Sequence, residues 1–323
     1  MNILITGITG RVGANLAAGL ISEGHTIHGL VWPRDPSTDK LRKLGVHLFA
    51  GSLTEIEEVH QSVQGMDVVY HLGAAFQGGG PFTEDEFFAI NAGGTFNVLE
   101  TARRAGVQQV IYASTDALFP KYVPGGLMEP INESIAKKPV GSYSVTKSIG
   151  EDLCLAYWKN QRLPVTITRF AMIFGAGEVL HFPPFYLHSL IKNRPELKSL
   201  EKKEDQLVII RDEHGRSYKK HTADVRDIVS GLMTTLTKEA TYGEIIQLAG
   251  PEPFTWDTAV PYLAERLNMS YTDVSIDGTP TFYEFDLNKA RTLIDYKPRY
   301  DIFRMIDDAI RFEQGDDIGL LPT

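Results

Sequence analysis

Three glycines set the strongest constraint on this chain. Gly7, Gly10 and Gly13 fall in Thr6-Gly7-Ile8-Thr9-Gly10-Arg11-Val12-Gly13, right after the apolar run Asn2–Thr6. A helical pattern follows, in which Val12, Leu16, Ala17, Leu20 and Ile21 share one face before Gly24 stops it. Lacking Cβ atoms, such glycines permit a tight strand-to-helix turn. They also let a pyrophosphate approach backbone N–H groups at a helix N-terminus, where the dipole favours negative charge. A glycine triplet alone is a modest signal; its place between a first strand and an amphipathic helix makes it a dinucleotide cradle.

The rest of the first half agrees with that start. Strands are expected at Thr26–Val31, Val46–Ala50, Val68–Leu72, Gln109–Ser114 and Val165–Phe170, with helices near Leu53–Val63, Phe87–Ala105 and Tyr143–Asn160. Alternating βα units with apolar strands predict a parallel sheet covered on both faces, hence an α/β Rossmann-type doubly wound fold. The pattern changes after Phe174-Gly175-Ala176-Gly177, and Ile245–Leu248 reads as one more buried strand. Residues 1–175 are therefore expected to form the dinucleotide-binding domain, with a returning strand near 245–248. Residues 176–323 are expected to form an interleaved, smaller α/β substrate lobe, with helices at Phe254–Leu267 and Asp286–Leu293 and a loosely held tail at 315–323.

Composition excludes several classes of function. A net charge of −9 gives no support for nucleic acid or an anionic membrane as partner, and no apolar run is long enough to span a bilayer. The single cysteine, Cys154, rules out an intramolecular disulfide and reads as a small buried residue. The N-terminal residues run directly into a strand, with no basic segment and cleavage site ahead of it. A cytoplasmic protein is expected.

The second chemical signal is Tyr143-Ser144-Val145-Thr146-Lys147. Tyrosine and lysine four apart on a helix face the same way. An ordinary phenol, with a pKa near 10, is a poor base at neutral pH; a nearby ammonium and a cationic nicotinamide favour phenolate. Ser114 and Thr115 close the fifth strand, at the end where ligands sit in such sheets. Together these residues point to hydride transfer at a hydroxyl or carbonyl carbon. The second strand runs out through Gly29-Leu30-Val31-Trp32-Pro33-Arg34 with no carboxylate at the place where one would grip the NAD ribose. Arg34 can instead pair with a 2′-phosphate, which tilts the choice between NAD and NADP toward NADP.

With these motifs in order, the chain resembles an extended short-chain dehydrogenase/reductase of the NAD-dependent epimerase/dehydratase family. The likeness also takes in His71-Leu72-Gly73-Ala74-Ala75, Asn91 through Leu99, Ala113-Ser114-Thr115, Arg169 through Gly175, and Asp224-Val225-Arg226-Asp227. It implies Tyr143 as acid/base, Thr115 polarising the substrate oxygen, and Lys147 on the nicotinamide ribose. It implies cofactor contacts from Gly7, Thr9, Gly10, Arg11, Val12, Arg34, Ser52, Leu53, Leu72, Gly73, Ala74, Ala75, Asn91, Phe170 and Met172, besides Tyr143 and Lys147. Substrate contacts are expected from Ser114, Thr115, Asp116, Tyr143, Met172 and Lys220, the last at a diphosphate-binding position. A homodimer through 87–105 and 143–160 is also implied.

Departures from the family pattern narrow the reaction. Sugar-nucleotide dehydratases carry Thr-Asp-Glu, and here the run is Thr115-Asp116-Ala117, without the glutamate base. Met172 replaces a frequent asparagine, Ser52 a frequent aspartate, and Ile276-Asp277-Gly278 lies where a second diphosphate arginine is expected. His181 and His188 have no metal-ligand spacing, so no metal is expected. Phe182, Phe185 and Tyr186 read as core, or as the wall of an apolar pocket. The expected activity is a nucleotide-sugar epimerase or sugar dehydrogenase acting on a carbohydrate. The alternatives are an NADP-dependent reductase of a non-carbohydrate carbonyl compound and a non-catalytic nucleotide-sensing protein.

Overall fold

The computed structural model describes residues 1–33, 35–76, 80, 82–201 and 205–322. The chain opens with β1 (Asn2–Thr6), α1 (Arg11–Ser22), β2 (Thr26–Val31), α2 (Asp39–Lys43), β3 (His47–Ala50), α3 (Ile56–Val63) and β4 (Val68–His71). Next come α4 (Glu84–Phe87), a π-helical turn (Phe88–Gly93), α5 (Gly94–Ala105), β5 (Gln109–Thr115), α6 (Ser142–Gln161), β6 (Val165–Phe170) and β7 (Met172–Phe174). The remaining elements begin with α7 (Leu187–Asn193), β8 (Leu207–Arg211), β9 (Lys219–Lys220), β10 (Thr222–Asp224), α8 (Val225–Thr234) and β11 (Ile245–Leu248). They end with β12 (Phe254–Thr255), α9 (Trp256–Leu267), β13 (Tyr271–Ser275), α10 (Asn288–Ile294) and α11 (Ile302–Glu313).

Seven strands pair in the order β11-β6-β5-β4-β1-β2-β3, every pair parallel. This is the doubly wound Rossmann arrangement expected from the βα alternation. Ile3, Leu4 and Ile5, side by side in β1, are all fully buried, as a central strand covered on both faces requires. The chain winds outward from β1 to β3, then crosses to β4 on the other side. The switch point therefore lies between the C-terminal ends of β1 and β4, where a crevice opens for ligand.

The later chain divides its packing between two cores. Trp256, Phe185, Phe182, Leu207 and Ile306 build a lobe core, whereas Val225, Ile246, Tyr283 and Leu320 pack with β1, α1 and β4. Phe182 and Phe185 are thus interior packing. The parallel pair β8–β13 escaped sequence reading because Tyr271–Ser275 shows mostly solvent-facing side chains and no apolar run. The helix expected over Phe87–Ala105 is interrupted by the π-helical turn that carries Asn91. Phe254 and Thr255 pair with Lys220 and Lys219 before α9 begins.

The expectation of a loose tail is overturned. Asn15 on α1 donates to the Leu321 carbonyl at 3.1 Å and accepts from the Leu321 N–H at 2.8 Å, while Leu320 is only 9% exposed. A side-chain amide that satisfies both backbone groups of one residue ties the terminus down, a contact no local pattern announces.

Candidate active site

The glycine loop is shaped by close approach. Gly7 has φ +68°, and a Cβ there would sit 2.7 Å from the Gly73 Cα; a Cβ on Gly13 would sit 2.4 Å from the Gly7 carbonyl oxygen. The loop thus meets the segment after β4 with no room for a side chain. Gly10 precedes α1 without a side-chain cap, so the first-turn N–H groups at Arg11 and Val12 remain available to an anion. This cradle fits a dinucleotide pyrophosphate.

The sequence reading missed the acid beside it. Asp35 lies four residues past the end of β2, and its carboxylate accepts from the Thr9 hydroxyl at 2.6 Å and the Ser37 N–H at 2.8 Å. Trp32 and Pro33 displace it from the usual place at the strand end, and the remaining signal was an Asp-Pro pair opening a turn. Arg34 lies outside the described residues. Arg11 points elsewhere: its guanidinium donates to the Ile173 carbonyl at 2.7 Å and pairs with Glu178 at 2.8 Å, tying the cradle to the start of the lobe.

Leu72, Gly73, Ala74 and Ala75 follow β4 as expected for a groove wall. Gly73 N–H donates to the Thr6 hydroxyl at 3.0 Å, and Ala75 N–H to the Asn91 side-chain oxygen at 2.7 Å. The Asn91 amide nitrogen donates to the Ala75 carbonyl and the Thr146 hydroxyl, both at 3.0 Å. Asn91 therefore uses its amide to hold the groove segment to α6. Leu53 lies against Gly73, while Ser52 bonds Thr54 and, through its N–H, Glu58.

Thr115 ends β5, its hydroxyl accepting from Ala117 N–H at 3.1 Å, and Phe170 stands in register beside it on β6. Tyr143 is the second residue of α6 and faces Thr115 and Asp116. Burial raises its phenol above the usual tyrosine range; the Thr115 hydroxyl opposes that shift and the Asp116 charge adds to it. Lys147 is buried one turn on, its Nζ 4.1 Å from the Tyr112 ring centroid, and desolvation pushes it down to about 7. Burial is the largest influence on both groups, and it disfavours the charged form of each. Gly150 allows the fit: a Cβ there would lie 2.1 Å from the Tyr112 hydroxyl oxygen.

Ser114 turns away from the cleft. As neighbours on a strand, Ser114 and Thr115 face opposite ways, and the Ser114 hydroxyl donates to buried Glu151 at 2.6 Å. Lys121, Tyr122, Tyr283 and Lys220 cluster with Asp116, which faces Tyr143. Lys220 sits 5.5 Å from the Phe182 ring, and burial lowers its pKa. Met172, on β7, packs against the lobe core. His181 and His188 pair with Glu313 and Asp205 on the surface, away from the site. Cys154 is buried and its thiol is pushed up by desolvation, which makes it unreactive. Among the described residues no helix is long and apolar enough to cross a membrane.

The model of the NAD dependent epimerase/dehydratase family matches residues 3–249. An uncharacterized UDP-glucose epimerase of Bacillus subtilis is 27% identical over 316 residues, covering 92% of this chain and 93% of that protein. A short-chain dehydrogenase/reductase superfamily protein from Agrobacterium tumefaciens, crystallised with bound NAD, superposes with TM-score 0.86 at 27% identity, covering 98% of this chain and 100% of the other. UDP-glucuronic acid 4-epimerase from Bacillus cereus, in complex with UDP-glucuronic acid and NAD, shares the fold with TM-score 0.76 at 22% identity, covering 98% and 99%. Sheet order, cradle, tyrosine helix and family match all agree, and the chain belongs to the NAD-dependent epimerase/dehydratase family.

Proposed function

We propose that this protein is an NAD-dependent sugar epimerase acting on a nucleotide sugar, with Tyr143 as acid/base assisted by Thr115 and Lys147. The observation that carries the reading is the convergence of Thr115, Tyr143 and buried Lys147 at the β5 end of the crevice whose other wall is the glycine cradle. When bound, nicotinamide supplies the hydride acceptor and donor. Tyr143 takes the proton from the substrate hydroxyl and later returns one to the carbonyl oxygen. Thr115 donates a hydrogen bond to that oxygen, and Lys147 favours the phenolate while holding the ribose. The cation of the oxidised cofactor acts on Tyr143 in the same direction as Lys147. Asp35 supports NAD over NADP, since a carboxylate beside Thr9 accepts from ribose hydroxyls and repels a 2′-phosphate. Lys220 supports an anionic substrate such as a diphosphate. Phe96 and Val145, exposed apolar side chains on α5 and α6, support a homodimer through those helices.

A reductase of a non-carbohydrate carbonyl is the second reading, favoured by the apolar, half-buried Met172 on β7. Native mass spectrometry for retained NAD, with turnover of UDP-glucose, UDP-galactose and UDP-glucuronate followed by product analysis, separates the two. Sugar inversion without net absorbance change at the nicotinamide band supports the epimerase, and stoichiometric change with a simple carbonyl supports the reductase. Y143F is expected to abolish turnover and keep NAD binding; unchanged turnover refutes the assigned role.

A further inference from the structure

Asp116 follows Thr115 in the chain and sets the tyrosine an electrostatic problem. The residue is 6% exposed, and its charge acts on both Tyr143 and Tyr283. A bare negative charge at this depth opposes phenolate, the form that accepts the substrate proton. The chain answers within five residues. A 3-10 turn (Asp116–Leu118) reverses the backbone, and Lys121, itself only 7% exposed, brings its Nζ to 2.6 Å from the Asp116 carboxylate. The same ammonium lies 5.2 Å from the Tyr283 ring centroid and 5.8 Å from that of Tyr122. Stability is a weak reason for such a pair, because exchanging a buried ion pair for apolar residues is often neutral or better.

We propose that Lys121 is a positioning residue for the acid/base: its ammonium fixes and neutralises Asp116, so that Tyr143 ionises without an unbalanced carboxylate beside it. The proposal rests on Tyr143 as the acid/base. Among the described residues, those around Tyr143 include Tyr112 and Thr115 from β5, Asp116 from the 3-10 turn after it, and Lys147 one turn on in its own helix. Those around Asp116 are Lys121, Tyr143, Tyr283 and, from β9, Lys220. Lys220 is a second cation near the same carboxylate, but among the described residues it makes no ion pair, whereas Lys121 meets Asp116 directly.

The test is substrate-independent. Protein labelled with [ζ-13C]tyrosine and loaded with NAD gives a Tyr143 resonance, identified by its loss in Y143F, whose pH titration reports the phenol directly. Lys121→Met is expected to move that titration to higher pH by about one unit or more. Asp116→Asn is expected to move it lower, and the double variant to return it toward wild type. Lys121→Arg, which keeps the charge, is expected to leave it near wild type. Should Lys121→Met not fold, the double variant, which leaves no unpaired buried charge, is compared with Asp116→Asn, and loss of the Lys121 ammonium is expected to move the titration back up. A pair with only a structural role would lower the unfolding midpoint and leave the titration where it was, and that result overturns the proposal. Full turnover in Y143F would instead sink the tyrosine assignment; an inactive Y143F with an unmoved titration sinks the role of Lys121 alone.

Discussion

Replacing Glu151 by glutamine should damage this protein more than any change of similar size at its surface. Glu151 is fully buried on α6, one turn past Lys147, and meets Arg169, which is 2% exposed on β6. Both guanidinium contacts measure 2.7 Å, one to each carboxylate oxygen. Ser114 adds a hydrogen bond at 2.6 Å, and Lys137 stands 3.5 Å away. Burial alone would raise the carboxyl pKa, yet these partners hold it below its ordinary value. Glutamine keeps the volume and removes the charge, leaving the Arg169 guanidinium desolvated without its counterion. Breaking a buried pair this way costs about 3–5 kcal/mol. With a urea m-value of about 3 kcal/mol/M, the midpoint should fall by roughly 1–1.7 M. Glu151→Leu combined with Arg169→Met should recover much of the loss, giving a coupling energy of about 2 kcal/mol or more in the double-mutant cycle. Urea unfolding followed by circular dichroism measures the wild type, Glu151→Gln and the three variants of the cycle. A loss under about 1 kcal/mol for Glu151→Gln, or a double variant as unstable as the sum of the singles, refutes the reasoning.

Three further outcomes follow from the same structure. Gly13→Ala places a Cβ 2.4 Å from the Gly7 carbonyl and 2.6 Å from the Ile8 Cα, both backbone atoms, so the cradle must open; NAD affinity, read by calorimetry, should drop at least about tenfold. Asp35→Asn removes a charge-assisted acceptor of about 1.5–3 kcal/mol, so NAD binding should weaken by roughly 10- to 150-fold and the gap to NADP should narrow; a wild-type protein that prefers NADP defeats this reading. His71, bonded to Thr6 at 2.8 Å and Thr95 at 3.0 Å, is held down to about 3 by burial and by Lys147. Its folded pKa lies below the ordinary histidine value of 6.5, so its contribution is complete above that pH and is lost as pH falls. The slope is about 1.4 kcal/mol per pH unit, or about 2 kcal/mol by pH 5, and His71→Gln should flatten the urea midpoint between pH 7.5 and 5.0 by that amount.

The sheet was legible because its information is local. Apolar runs such as Val68–His71 and Val165–Phe170, interrupted by amphipathic helices, admit few arrangements once crossovers are right-handed. Gly7 and Gly13 were legible for a related reason: the cradle needs backbone approach at fixed spacing, and only glycine permits it. Tyr143 and Lys147 could be read as a pair because one helical turn sets their separation. Sequence order thus determined the fold class, the cradle and the residue types at the proposed acid/base. Tertiary structure alone decided which way side chains face and what charge each meets. It turned Ser114 toward Glu151, returned Asp35 to Thr9, committed Asn91 to Ala75 and Thr146, and set Lys121 on Asp116. It also raised the phenol that spacing alone would have lowered, because desolvation depends on everything packed around a group, and nearest neighbours in sequence supply only a small part of that.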